Sequence, residues 1–150
     1  MVSSSVLTTL QCTGNIMVTT SVSDDRSTIV YQENDDSFKD VTRLHRLYGH
    51  SYQVFRSLVS VDTGHLVTAG EDGRVITWDL VSGDEIQRDE TSGGSPVWSV
   101  AWCDDSVVFG AGDGSVNITT CHTGDTAHRP LPGVSEDKCR RQNTYHGCRW

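Results

Sequence analysis

The sequence contains one glycine-rich string with the composition of a cofactor-binding loop. Residues 107–115 read VVFGAGDGS, and a β-strand followed by closely spaced glycines is how methyltransferases bring their backbone close to S-adenosylmethionine. The residues that follow, SVNITT at 115–120, alternate like a strand and do not continue as a helix. The string also aligns with TAGEDG at 68–73. A repeated turn is therefore favoured, no cofactor is expected, and an S-adenosylmethionine-binding enzyme is the remote alternative.

His50 and Asp72 form a second candidate constellation, in which the imidazole would act as a general base or metal ligand and the carboxylate would orient it. Zinc-type ligands lie further along the chain, where Cys139, His146 and Cys148 follow the pair at 121–122, Cys-His. Their spacing is irregular and contains no CxxC pair. We therefore expect neither a catalytic centre nor a metal site.

The charge balance argues against direct binding of nucleic acid by most of the chain. The formal net charge is −8, of which the residues from Thr123 onward contribute +2, so that −10 remains for residues 1–122. Such a body repels a phosphate backbone. The five scattered cysteines indicate reduced thiols, and no apolar run approaches the roughly 18 residues of a membrane span. We expect a soluble, cytoplasmic protein without a membrane contact.

Three stretches of the sequence share one pattern: a β-rich run, a small-residue turn with an aspartate, and then an alternating strand. They are SDDRSTIVY, EDGRVITWDL and GDGSVNITT. Their aspartates, Asp25, Asp72 and Asp113, are separated by 47 and 41 residues. The alternation and the spacing predict an all-β chain built from repeated small sheets.

The middle repeat is complete enough to predict strand by strand. Its three inner strands are expected at Val54–Ser60, His65–Gly70 and Val75–Leu80, and a polar outer strand at Glu85–Glu90. The preceding segment Leu44–Tyr48 would be the outer strand of the first repeat.

This repeat resembles the WD40 repeat, whose blades are about 40–45 residues long. The resemblance assigns the four residues of the WD40 structural tetrad to His50, Thr68, Asp72 and Trp78. Asp72 can accept from its own turn and from His50, whose other ring nitrogen can reach Thr68, and the hydroxyl can meet the indole N–H of Trp78. Such a chain satisfies buried polar groups that would otherwise cost about 1–3 kcal/mol each.

The flanking repeats lack parts of the tetrad. The first has Ser21, Asp25 and Tyr31 but no Gly-His pair before it. The third keeps Asp113 and has Gly93, Phe109 and Thr119 at the histidine, hydroxyl and tryptophan positions. We therefore expect a partial, open WD40 β-propeller of about three blades at residues 1–122, followed by a poorly ordered tail at 123–150. Because closed propellers have about 4–8 blades, we expect a fragment or short form of a longer protein.

A closer resemblance is to the family of WD repeat-containing protein 6, within the WD40 proteins. It rests on SVSDDRS (21–27), LHRLYGHS (44–51), AGEDGRVITWDL (69–80), GGSPVWSVA (93–101) and GAGDGS (110–115), in that order. The resemblance implies a non-catalytic scaffold subunit that supports 2′-O-ribose methylation of the tRNA wobble nucleotide by a partner methyltransferase, with tRNA contacted indirectly. The alternative is a generic WD40 adaptor for protein complexes.

The candidate partner-binding face consists of loop residues beside the tetrad turns: Arg26, Tyr52, Gln53 and Arg74. Arginines next to an aromatic ring suit a carboxylate-rich partner or a phosphate, although ordinary solvated loops have the same composition. Trp98 and Trp102 have even spacing on one predicted strand. Packing in the core or between blades is expected for both, and base stacking is the alternative.

Overall fold

The computed structural model describes residues 7–21, 26–34, 39–60, 62–103 and 105–121. These residues form eleven strands in three antiparallel sheets, with one 3₁₀ turn at Ser92–Gly94. None of the described residues forms a helix long and apolar enough to cross a membrane.

Each sheet is a meander, and we call the sheets the first, second and third blades. The first blade contains β1 (Leu7–Thr13), β2 (Ile16–Ser21), β3 (Thr28–Glu33) and β4 (Val41–Leu47). The second contains β5 (Val54–Ser60), β6 (His65–Gly70), β7 (Arg74–Asp79) and β8 (Glu85–Glu90). The third contains β9 (Val97–Cys103), β10 (Ser106–Ala111) and β11 (Val116–Thr120).

Tight turns at equivalent places explain why the same strand pattern recurs. Gly73 between β6 and β7 has φ +73°, and Gly114 between β10 and β11 has φ +86°. This left-handed region is open to glycine at little cost and strained for other residues. Each glycine directly follows the aspartate of its turn, so the repeated Asp-Gly pair reverses the chain in both blades.

The apolar residues form two clusters, one on each side of the second blade. The cluster between the first and second blades contains Ile16, Val18, Val30, Leu47, Val59, Leu66, Ile76, Trp78 and Leu80. The cluster between the second and third contains Val67, Ala69, Val75, Val97, Val107, Phe109 and Cys121. All six residues of β6 are buried because both faces of this strand are covered. The blades therefore pack face to face, and β1, β5 and β9 lie side by side along the stack.

The predicted all-β, open, three-blade fold is confirmed. In the second blade, β5, β6 and β8 begin and end where the sequence predicts, whereas β7 begins and ends one residue earlier. The outer strand of the first blade, predicted at 44–48, begins at Val41 and ends at Leu47. The predicted tail at 123–150 lies outside the described residues.

Candidate functional site

The second blade contains a continuous chain of four hydrogen-bonded side chains. The Nε1–H of Trp78 donates to Oγ1 of Thr68 at 2.9 Å, and this hydroxyl lies 2.8 Å from Nε2 of His50. The other ring nitrogen, Nδ1 of His50, lies 3.0 and 3.1 Å from the two carboxylate oxygens of Asp72. The structure thus brings together the four residues to which the resemblance to the WD40 repeat assigns the tetrad.

The chemistry of the four groups fixes the direction of the hydrogen bonds. An ionised carboxylate only accepts, so His50 carries its proton on Nδ1 and donates to Asp72. Nε2 of the neutral ring is then an acceptor, and the Thr68 hydroxyl donates to it. The oxygen of that hydroxyl still accepts from Trp78, so every polar atom of the chain has a partner.

Strands and loops from different parts of the blade position these side chains. Thr68 is on β6 and Trp78 is on β7, while His50 and Asp72 belong to the loop before β5 and the turn after β6. Burial is nearly complete, with side-chain exposures of 2% for His50 and 4% for Asp72. Gly49 completes the fit, because a Cβ atom there would lie 2.8 Å from the Trp78 ring.

Asp72 also ties two backbone segments together. Its carboxylate accepts from the N–H of Ser51 at 2.8 Å and from the N–H of Arg74 at 3.1 Å. Burial raises the pKa of this carboxyl, but the hydrogen bond that His50 donates, together with the two backbone N–H groups, more than offsets that effect. The pKa of Asp72 therefore lies below its ordinary value, and the folded state favours the carboxylate.

Only part of this arrangement recurs in the third blade. Asp113 accepts from the N–H of Ser115 at 2.9 Å, which is the bond that Asp72 makes with Arg74. Gly93 has no side chain to reach it, Phe109 is buried among apolar residues, and Thr119 accepts from Gln87 at 2.7 Å. The third blade therefore keeps the turn and replaces the buried polar chain by apolar packing.

In the first blade, the pairing of the strands shows which residues occupy the positions of the second-blade tetrad, and one of them differs from the prediction. Tyr31 pairs with Met17 as Trp78 pairs with Leu66, so Tyr31 does occupy the tryptophan position. Thr68 lies two residues after Leu66 in β6, and Thr19 lies two residues after Met17 in β2. Thr19 is therefore the equivalent of Thr68. The assignment of Ser21 was therefore wrong, because nine residues lie between the paired Thr19 and Ile29, two more than lie between the paired Thr68 and Ile76. Asp25 lies outside the described residues.

The glycine-rich string does not form a strand–loop–helix unit. Residues 107–111 belong to β10, and residues 116–120 pair with it as the antiparallel strand β11. A hairpin provides no helix N-terminus for a nucleotide-like cofactor. Among the described residues no group of histidine, cysteine, aspartate or glutamate could hold a metal ion. Residues 122, 139, 146 and 148 lie outside that part of the chain.

The predicted partner-binding residues have different environments. Arg26 is exposed, and its guanidinium lies 5.9 Å from the centre of the Tyr52 ring, which is itself 59% exposed. Gln53 is half-buried and its carbonyl accepts from the N–H of Glu71 at 2.8 Å. Arg74 is engaged internally, since it donates to Glu90 at 2.6 Å and to the Ser51 hydroxyl at 2.8 Å. Arg26 and Tyr52 are thus the more accessible pair.

A stacked aromatic pair on this side of the blades was not predicted. The rings of Phe55 and Trp98 lie 4.7 Å apart and nearly parallel, at 8°. We expected Trp98 to pack in the core or between blades: it is 56% exposed and does not lie in the core, but its ring stacks on Phe55 of the neighbouring blade. Trp102 packs against the second apolar cluster. Phe55 and Trp98 are each the extra residue where the register shifts at the start of β5 and β9. A β-bulge re-aims a side chain, which period-2 alternation does not reveal.

The stacked blades and the hydrogen-bonded tetrad give the described residues the fold of three consecutive blades of a WD40 β-propeller. The fold is similar to that of the WD40 domain of Toxoplasma gondii coronin, with a TM-score of 0.65, 16% identity, and coverage of 77% of this chain and 31% of that one. Saccharomyces cerevisiae Sqt1 gives a TM-score of 0.66 and 16% identity, with coverage of 79% and 36%. At this identity the likeness establishes the fold alone, and the alignments cover about a third of each of those chains. Neither a protein-family model nor a curated protein matches the chain.

The tetrad predicts a difference between two aromatic substitutions. Trp78→Phe removes the donor that Thr68 accepts from in a buried site, and we expect it to lower the free energy of unfolding by about 1–2 kcal/mol. Tyr31→Phe, at the half-buried equivalent position, should cost less. Denaturant unfolding of both variants measures this, and equal losses would contradict the assignment of the complete tetrad to the second blade.

The lowered pKa of Asp72 predicts a pH-dependent contribution to stability. A depressed folded-state pKa stabilises the protein above the ordinary pKa of about 4, and the contribution is lost as the pH falls through the lower folded value. Asp72→Asn should therefore cost about 1–3 kcal/mol near neutral pH, and the gap from the wild type should narrow below about pH 4.

Asp113→Asn is the matched control for that experiment, because Asp113 has the same turn position but is exposed and faces no histidine. We expect a smaller loss for it at every pH. Unfolding curves recorded from neutral to acidic pH compare the two variants, and a pH-independent loss for Asp72→Asn would show that its carboxylate is not the stabilising species.

Proposed function

We propose that this protein is a non-catalytic scaffold that binds a partner protein through exposed aromatic and arginine residues beside the tetrad turns. We call this surface the tetrad face and define it by Arg26, Tyr52, Phe55 and Trp98. The observation that carries the proposal is Trp98, which is more than half exposed while its ring is held flat against Phe55.

An exposed tryptophan on a rigid strand has the properties of an interface anchor. The few residues that dominate the binding energy of protein interfaces are enriched in Trp, Tyr and Arg. A side chain that is already ordered also loses less entropy when it binds. Both rings of the stack belong to strands, β5 and β9, whose backbones are paired in the sheets. A partner would therefore meet a surface that needs little ordering.

The charge of this surface differs from that of the chain around it. Arg26 adopts a left-handed backbone conformation, with φ +50°, and places its guanidinium over the Tyr52 ring. Residues 1–122 carry a net charge of −10, so the Arg26 guanidinium is a positive charge on a chain that is acidic as a whole. A partner that offers a carboxylate next to an apolar group would match the arginine and the aromatic rings together.

The finer proposal concerns which partner is bound. We propose the methyltransferase subunit that modifies the ribose 2′-hydroxyl of the tRNA wobble nucleotide, in the cytoplasm. The support is the sequence resemblance at 21–27, 44–51, 69–80, 93–101 and 110–115. An acidic scaffold suits this division of labour, because the enzyme would supply the basic surface for tRNA while the propeller positions it. A generic adaptor for another complex is the alternative.

Substitutions on the tetrad face should reduce capture of the partner. We expect Trp98→Ala to lower affinity by about 30-fold, the effect of losing an anchor of about 2 kcal/mol, and Tyr52→Ala and Arg26→Glu to lower it in the same direction. Tyr48→Ala is the control, because Tyr48 is also 59% exposed and has Arg46 5.5 Å from its ring centre. Quantitative affinity capture from lysate measures this for the full chain.

Two outcomes of that capture experiment distinguish the proposals. A tRNA methyltransferase in the bound fraction, lost in Trp98→Ala and kept in Tyr48→Ala, supports the finer one, and other proteins with the same pattern support the adaptor. If Tyr48→Ala weakens capture as much as Trp98→Ala, the tetrad face is not the binding surface.

The charge distribution predicts weak binding of free tRNA. Few phosphate contacts are available to an acidic chain, so any complex should be weak and strongly salt-sensitive. Gel shifts at low and physiological salt, with and without the methyltransferase, test this. Arg26→Glu should weaken the ternary complex more than the double substitution Arg140→Glu, Arg141→Glu, whose sites lie outside the described residues. Tight tRNA binding by the chain alone at physiological salt would make the protein a direct RNA binder.

A further inference from the structure

The outward face of the third blade is apolar and open to water. We call it the third-blade outer face and define it by Ala101, Val108, Val116 and Ile118. Val116 is 72% exposed and Ile118 is 71% exposed, although both are β-branched apolar residues in a regular strand. Contiguous apolar side chains left in water indicate a surface that is covered by another molecule.

The strand register shows that these residues share one side of the sheet. Thr119 faces the second blade, since it accepts from Gln87, and its neighbours Ile118 and Thr120 therefore face away. Ile118 pairs with Val108, which pairs with Ala101, so the three form a row across the blade. Val107 and Phe109 alternate with Val108 and belong to the buried cluster on the other side.

The equivalent face of the second blade shows what covers such a surface. The positions 41 residues before Val108, Val116 and Ile118 are Val67, Val75 and Thr77, and each has an exposure of 1% or less. They are covered by the third blade, through Val97, Val107, Phe109 and Cys121. The third-blade outer face therefore repeats a surface that, one blade earlier, holds the inward face of the next WD40 blade.

The first blade presents the complementary surface on its outward side. Gln11 faces the second blade, because its Oε1 accepts from the N–H of Val59 at 3.2 Å. Leu10 and Cys12 alternate with it, are both exposed, and pair with Thr19 and Met17. Met17 pairs in turn with Tyr31. We call this surface the first-blade outer face and define it by Leu10, Cys12, Met17, Ile29 and Tyr31.

From these two faces we infer that the chain self-associates head to tail, with the first-blade outer face of one copy docked on the third-blade outer face of another. The contact continues the blade-to-blade packing already present twice within the chain. Two such contacts between two copies would close their described blades into a ring of six, within the range of about 4–8 blades found in propellers. The inference concerns surfaces other than the tetrad face and is independent of the proposed function.

Sedimentation velocity of the full chain over a concentration series tests the inference. We expect a dimer in the wild type. Ile118→Arg and Leu10→Arg place an unpaired charge in the contact and should each weaken association at least about tenfold. Ile86→Arg is the control, because Ile86 is an exposed isoleucine, 39% accessible, on strand β8 away from both outer faces. Both test sites are exposed, and circular dichroism verifies that the variants fold.

Mixing the two variants distinguishes head-to-tail packing from other dimers. Ile118→Arg keeps an intact first-blade outer face and Leu10→Arg keeps an intact third-blade outer face, so the mixture can form one unaltered contact. We expect it to associate more tightly than either variant alone. A wild type that is monomeric at every concentration, a dimer unaffected by Ile118→Arg, or no gain on mixing would each overturn the inference.

Discussion

Each blade of this protein is a thin sheet with two apolar faces, and a face is removed from water only where another blade lies against it. The second blade satisfies this requirement on both sides, and β6 at its centre is buried along its whole length. The first and third blades satisfy it on one side each. Burial of apolar area is the main favourable contribution to folding, so the best-packed part of the structure is the one that has two neighbours.

The tetrad is found in the blade where this packing is most complete. Thr68 is fully buried and Trp78 nearly so, and the indole ring belongs to the cluster between the first and second blades. A polar hydrogen left without a partner there would cost about 1–3 kcal/mol, whereas an exposed site would replace the partner with water. The third blade avoids the cost of an unpaired polar group at the position of Thr68 because it has the apolar residue Phe109 there. The two blades thus show the two ways in which a buried position can be satisfied.

Particular residues show what the sequence could and could not predict. The Asp-Gly turns and the strands of the second blade follow from local chemistry, because few residues allow the left-handed turn and the alternation is regular. The tetrad residues were identifiable because histidine, threonine, aspartate and tryptophan occur together at a characteristic spacing. The exposure of Trp98 was not foreseen because this residue lies at a bulge, where one extra residue breaks the alternation. Thr19 was missed because the spacing was counted from the turn aspartate, whereas the paired positions of β2 and β3 are separated by two more residues than those of β6 and β7.

The buried tetrad and the exposed tetrad face are connected by hydrogen bonds of one short segment of the chain. The segment from His50 to Phe55 connects them: His50 is bound to Asp72, the Ser51 N–H donates to the same carboxylate, and the Ser51 hydroxyl accepts from Arg74. The Gln53 carbonyl accepts from Glu71, and the Pro96 carbonyl accepts from Gly112 in the same way in the third blade. Tyr52 and Phe55 are therefore held by bonds on both sides before any partner arrives. Binding to a preorganised surface loses less conformational entropy than binding to a free loop, so the hydrogen bonds that stabilise the blade also favour recognition at its surface.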